Sequence, residues 1–389
     1  MTMNAVNQAQ KNILKAKKWL SSDVLPLWFG LGFETASGCF LEWISYDSKP
    51  LIEAERRAMV QARQIYSVCE ASRLQLMTQA EASELVRANV NLLFRHYKRP
   101  SGGYAHALNH RLEITNDSVE LYTQAFILFC LSQAYGLLKD ENIRTEALSL
   151  LDYLNTKRRI ATGGFTEIKN GKVLYQSNPH MHLFEAALAW VAVDHSESWK
   201  QLAEELKNIC LNHFIDPTTN LLAEHFSEPW LPEASNGQFV FEPGHHYEWA
   251  WLLLEYQKLL KTDLLKQAQV LFANAETYGL SSDRKFAVDE VWSNFKINKN
   301  TSRFWPHCER IKAAVSLAVL SQNAEEKQKY FESADLAFEG LATYLETPVA
   351  GLWHDTRLAD GSFKSEPAAK ASSLYHIINA YSEYINKRI

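Results

Sequence analysis

The sequence predicts an all-α protein, an (α/α)6 barrel, and three observations carry that expectation. Helical periodicity covers most of the 389 residues. Gly 15 and Pro 11 amount to roughly 4% and 3% of the chain, against ordinary shares near 7% and 5%. So few punctuators argue against a many-turned β protein. The third observation is a repeat in the connections: long and short links alternate, in units of about 60 residues.

Taken in order, the periodicity predicts helices over 5–20, 53–71, 78–95, 118–138, 139–156, 180–193, 197–212, 242–261, 264–279, 305–320, 325–345 and 367–386. The links 21–52, 96–117, 157–179, 213–241, 280–304 and 346–366 are all long. Loops above ~12–15 residues are uncommon unless functional. With consecutive helices antiparallel, all six fall at one end. Several carry hairpin signals: Gly102-Gly103-Tyr104, Gly163-Gly164-Phe165 with an Asn170-Gly171 turn, and Gly351-Leu352-Trp353 with an Asp360-Gly361 turn. Six helix pairs then close into a ring, the even-numbered helices inside and their N-terminal ends meeting beneath the long loops. An open solenoid has no need of long loops on one face only. No linker interrupts the pattern, so residues 1–389 read as a single catalytic domain.

Composition excludes several function classes. A net charge of -5 leaves no basic excess for nucleic acid or anionic lipid. The first twenty residues read as an amphipathic helix rather than a signal peptide. The longest apolar stretches, such as 186–193, fall short of the ~18–20 residues that span a bilayer, so no membrane partner is expected. Cys39, Cys69, Cys130, Cys210 and Cys308 are scattered and odd in number, which points to reduced thiols in a cytoplasmic protein. A monomer or homodimer acting on a small molecule is the expectation. Neither GxGxxG, a P-loop nor GxSxG is present, which disfavours phosphate-dependent and serine-nucleophile chemistry.

Against this background 11 Trp, 16 Tyr, 19 Phe and 13 His make an unusually ring-rich helical chain. Arg63, Tyr122, His182, His245, Trp305 and His376 recur at intervals of about 60 residues near the starts of the inner helices, and so converge on one pocket. His245 follows a Pro-Gly break and shares a helical face with Glu248, which is expected to orient it as an acid/base. His376 repeats the imidazole on the last helix. His182 and Glu185 repeat the His-x-x-Glu spacing. Asn178 reads as an N-cap with Pro179 at the first helical position. Trp305 and Glu309, four apart, offer a sugar a stacking floor and an acceptor. Each has a plainer reading: a surface arginine, a core histidine, a packed tryptophan. The shared period favours the pocket. His180, His182, His245 and His246 also raise a metal, but there is no HExxH, thiolate cluster or Asp-rich loop, so no metal and no cofactor are expected.

Gln61-Ala62-Arg63-Gln64-Ile65-Tyr66, Leu121-Tyr122-Thr123-Gln124, Asn178-Pro179-His180-Met181-His182, Pro243-Gly244-His245-His246-Tyr247-Glu248-Trp249, Arg303-Phe304-Trp305-Pro306-His307-Cys308-Glu309 and Tyr375-His376 together make the chain resemble the N-acylglucosamine 2-epimerase superfamily. The resemblance implies an (α/α)6 barrel. It also implies a sugar isomerase or 2-epimerase with two essential histidines, matching His245 and His376. Arg63, Tyr122, Asn178, His182, Glu248, Trp305 and Glu309 match its substrate-holding positions. The motifs look most like the mannose isomerase branch. The implied chemistry is proton transfer at C2 of an open-chain aldose, giving D-mannose–D-fructose isomerisation. N-acyl-D-glucosamine or mannose 2-epimerisation is the alternative, and an (α/α)6 glycoside hydrolase the reading from another class. An arginine that some isomerases carry before the Pro-Gly-His run has no match in 235–242, which favours neutral sugars.

Overall fold

A computed structural model describes residues 3–169 and 171–388. Among them are α1 (Met3–Trp19), α2 (Ala58–Arg73), α3 (Gln79–Leu92), α4 (Leu121–Leu138), α5 (Glu141–Lys157), α6 (Ser177–Val193), α7 (Glu197–Ile209), α8 (Pro243–Leu260), α9 (Leu265–Tyr278), α10 (Trp305–Leu320), α11 (Ala324–Tyr344) and α12 (Leu374–Lys387). The even-numbered helices pack side by side from α2 to α12, and α12 returns to α2, closing the ring. Outside it α3, α5, α7, α9 and α11 each lie on the inner helix that precedes them, and α1 lies on α12. The division follows from composition. Inner helices are buried on nearly every face, and α4 is apolar all round, whereas the outer α7 buries a single stripe. By length and composition alone α4 could cross a membrane, contrary to the expectation above, but 67% of it is buried inside the ring.

Several boundaries differ from expectation for local reasons. The stretch taken as loop after α1 continues as wide helical turns, Leu20–Val24 and Pro26–Leu31, where Pro26 supplies no N–H. α6 begins at Ser177, so Asn178 lies inside the first turn and Gln176, not Asn178, precedes the helix. The segment expected to start α12 is instead a strand, Ala368–Lys370, followed by a tight turn, Ala371–Ser373. Asn170 of the expected turn lies outside the described residues, although Lys169 and Lys172 pair around it. Gly351-Leu352-Trp353 forms no strand; Trp353 is buried and stacks on Trp28 at 4.8 Å.

The long loops are stitched to one another at the mouth. Arg56–Arg57 pairs with Ala107–Leu108, Lys172–Gln176 with His225–Glu228, and Val240–Phe241 with Glu290–Trp292. Ser302–Arg303 pairs with Thr356–Arg357, and Ala368–Lys370 comes back to Trp43–Ser45. Inner-helix side chains clamp the loops from below. Gln61 bonds both the N–H and C=O of Phe40, and Gln124 does the same for Tyr104. His180 Nε2 accepts from Phe165 N–H at 3.0 Å, and His246 Nε2 from Leu222 N–H at 3.2 Å. Gly164 shows why the loop must be bare there: its φ is 79°, and an added Cβ would lie 3.0 Å from the His180 ring. The mouth is therefore a braced rim.

Candidate active site

Inside the rim, two imidazoles lie against one indole. The Trp305 ring centre is 5.1 Å from that of His245 and 5.7 Å from that of His376. Each imidazole has a carboxylate on its Nδ1. His245 Nδ1 is 2.8 Å from Glu224 Oε2, and His376 Nδ1 is 2.8 Å from Glu309 Oε1. With Nδ1 occupied, Nε2 is the nitrogen left for a substrate.

The two pairs differ in their surroundings. Glu224, from the loop before α8, also accepts from Ser177 Oγ at 2.8 Å and from the Glu242 N–H at 3.2 Å. Glu309 instead forms an ion pair with Lys312 Nζ at 2.6 Å, both side chains fully buried. Burial disfavours the charged form of each imidazole. At His245 this is overridden by the carboxylates of Glu224 and Glu242, and its pKa rises to about 9. At His376 burial prevails, helped by Arg63 and Lys312 against the pull of Glu309, and its pKa falls to about 4. At neutral pH these shifts favour a protonated His245, which can give a proton, and a neutral His376, which can take one.

The other expected residues meet around them. Arg63 donates to the Ser372 carbonyl at 3.0 Å and to Tyr122 Oη at 2.7 Å, and its guanidinium lies 4.2 Å from the Phe126 ring centre. His182 packs on Tyr122 and Phe126 at 5.0 and 4.5 Å. Burial, then Arg63 and His245, hold His182 well below its ordinary pKa, so it stays neutral. Its Nδ1 is 3.6 Å from Glu185 and 3.8 Å from Glu248. Asn178 Oδ1 is buried without a hydrogen-bond partner among the described residues. So is Glu248 Oε1, whose carboxyl burial and the neighbouring Glu309 push well above the usual range.

Two expectations are corrected here. Glu248 does not orient His245, because Glu224 holds that nitrogen. Glu309 does not face a ligand as an acceptor: it is fully buried between Lys312 and His376. Glu224, Lys312 and Tyr375, whose hydroxyl donates to Glu185 at 2.5 Å, were missed. The signal for Glu224 was present: it is a lone charge ending the apolar run Leu221-Leu222-Ala223, as Arg63 is in its own. Lys312 gave a weaker one, since Glu309 and Arg310 stand just before it. Two groups, His182 with Glu185 and Glu248, and His245 with Glu224 and Glu242, bring possible metal-ligand atoms within 4.8 Å. In the second, His245 already has Glu224, and Glu242 has Arg303 at 2.6 Å.

The sequence profile of the N-acylglucosamine 2-epimerase (GlcNAc 2-epimerase) family matches residues 38–380. The chain belongs to that family. Among relatives of this epimerase family member is the mannose-6-phosphate isomerase of Rhizobium meliloti (strain 1021), 35% identical over 372 residues and covering 94% of each chain. Cellobiose 2-epimerase from Bacillus thermoamylovorans superposes with a TM-score of 0.86 at 18% identity, covering 98% of this chain and 100% of that one. A D-mannose isomerase structure superposes with a TM-score of 0.84 at 18% identity, covering 97% of both. These likenesses show the (α/α)6 barrel, and with the family a sugar isomerase or epimerase.

Proposed function

We propose that the chain, acting as one catalytic domain, interconverts D-mannose and D-fructose by proton transfer at C2 of the open-chain sugar. The observation that carries this is the pair of carboxylate-bonded imidazoles beside Trp305, His245 held toward its protonated form and His376 toward its neutral one. His376, neutral, takes the C2 proton on Nε2. The electron pair left behind forms the C1–C2 double bond of an enediol as the C1 carbonyl oxygen gains a proton from His245. His376, whose ring proton exchanges with solvent, then protonates C1 while His245 takes the O2 proton back, which gives the ketose and restores both rings. Arg63 and Asn178 supply fixed polar groups for sugar oxygens, and Trp305 supplies a face for the sugar carbons.

The relative at 35% identity carries an isomerase name, which supports isomerisation. Its name specifies a phosphorylated sugar. Here the cations leading into the inner helices are already compensated: Arg57 by Glu42, Arg303 by Glu242 and Asp289, Lys370 by Asp355 and Glu366. That pairing favours a neutral monosaccharide over a phosphate dianion. A hydrolase reading loses support, since Glu248 and Glu309 are 1% and 0% exposed. C2 epimerisation of mannose or an N-acylglucosamine is the second reading, because one acid and one base suit proton return from the other face.

Incubation with mannose, mannose 6-phosphate, glucose and N-acetylglucosamine in heavy water decides among these. Fructose formation with deuterium uptake from mannose is expected. No exchange from any of the four overturns the proposal.

A further inference from the structure

The two carboxylate–imidazole pairs are alike in geometry and unlike in charge. Glu224 is neighboured by a hydroxyl and a backbone N–H, both neutral. Glu309 shares its charge with an ammonium. Lys312 is fully buried one helical turn beyond Glu309, its Nζ 2.6 Å from Oε2 and 3.7 Å from the Trp251 ring centre. A lysine at 0% exposure is expensive to hold, and nothing in the sugar chemistry above uses it.

We infer that Lys312 is a positioning residue that decides which of the two histidines is the base: its ammonium neutralises Glu309, so that His376 is oriented by a carboxylate without being driven to the imidazolium. His245, whose carboxylate has no buried cation against it among the described residues, becomes the acid by contrast. The inference rests on the acid/base reading of the site.

The charged and titratable groups facing this cluster come from every inner helix that reaches it: Glu309 and Cys308 on α10, Glu248 on α8, Glu185 and His182 on α6, Tyr375 on α12 and Arg63 on α2. Burial, with repulsion from Glu309, shifts the carboxyls of Glu185 and Glu248 upward. Glu309 is the exception: burial opposes its charge, but Lys312 and His376 hold it down at about 2. Lys312 is thus the counter-ion of the carboxylate that also holds His376. Because Glu309 and His376 share a hydrogen bond, their extra proton belongs to the pair, and removing a nearby cation raises the pair's affinity for it wherever it resides.

The test is a titration of the His376 ring by NMR on ring-labelled protein, assigned with H376N, and it needs no substrate. K312M removes the cation, K312Q removes the charge but keeps a donor to Glu309 should Met not fold, and K312R keeps the charge. The midpoint is expected to rise by at least about one pH unit in K312M and K312Q and to stay in K312R. In parallel, the acid limb of kcat for deuterium exchange from mannose moves up in pH with that midpoint in K312M and K312Q, with KM little changed, and stays in place in K312R. An unmoved midpoint in the charge-removing variants overturns the inference, as does an equal rise in K312R. If wild-type protein exchanges no deuterium from any sugar, the functional reading fails, while the titration still judges Lys312.

Discussion

His376 and Glu309 meet 2.8 Å apart from two different inner helices, α12 and α10. The contact joins neighbouring staves of the ring, so the orientation of the imidazole is set by helix packing and not by a flexible loop. The same bond recurs at His245 with a carboxylate from a loop, Glu224. That pairing gives the first prediction. The proposed proton transfer needs His376 neutral and His245 protonated. kcat/KM in the free enzyme should therefore be bell-shaped, falling below about 4 as His376 gains a proton and above about 9 as His245 loses one. A pH–rate profile measured by fructose formation checks it; a profile already falling by pH ~7 contradicts the assignment.

Glu224→Gln tests the loop carboxylate. Burial alone pulls His245 down, and Glu224 is the largest influence holding it up. Without that charge the alkaline limb should move down by about two pH units or more. At neutral pH the loss of kcat should be about twofold for a shift of about two units and about tenfold for each unit beyond that, largely recovered in more acidic buffer. A variant of unchanged profile would show that Glu224 only packs.

How much of this was legible in the chain depends on where the signal lay. The twelve helices were legible because apolar residues recur at helical spacing and the links between them alternate in length. The histidines were legible because each opens an inner helix at the same point of the repeat. Their carboxylates were harder. A spacing of three residues put Glu248 on the face of His245, but the carboxylate that reaches Nδ1 comes from twenty-one residues earlier. Only the loop's path between α7 and α8 brings it there, and a path is not written in periodicity. Glu309 was found, with the wrong task. Spacing placed it below Trp305, and only the ring closure between α10 and α12 showed that it faces His376.

The clamps beneath the rim predict a stability effect separable from chemistry. Gln124 Oε1 accepts from the Tyr104 N–H at 2.8 Å and its Nε2 donates to the Tyr104 carbonyl at 2.9 Å, all buried. Gln124→Leu leaves both backbone groups without partners, at a cost of about 2–4 kcal/mol. The urea midpoint should drop accordingly, while the pH limbs of the remaining activity stay in place. A midpoint within error of wild type would mean that water replaces the amide.

Gly244→Ala probes the floor of the pocket. Gly244 sits between Pro243 and His245, and its φ is not in the left-handed region, so backbone freedom does not explain it. Close approach does. An added Cβ would lie 2.4 and 2.6 Å from two carbons of the Trp305 indole and 3.0 Å from Pro306 Cγ. Contacts of that length require the indole or the start of α8 to shift, and the indole is the partly exposed, less constrained of the two. Moving Trp305 disturbs the surface that both histidines lie against, and a displacement of about 1 Å near reacting groups costs on the order of a hundredfold in rate. Gly244→Ala should thus lower kcat/KM for mannose steeply, with quenched or shifted tryptophan emission and a stability loss of only about 1–3 kcal/mol. Restoring room with Gly244→Ala/Trp305→Phe should recover part of the loss. If the single variant keeps wild-type kcat/KM, the indole is not a working surface of the site.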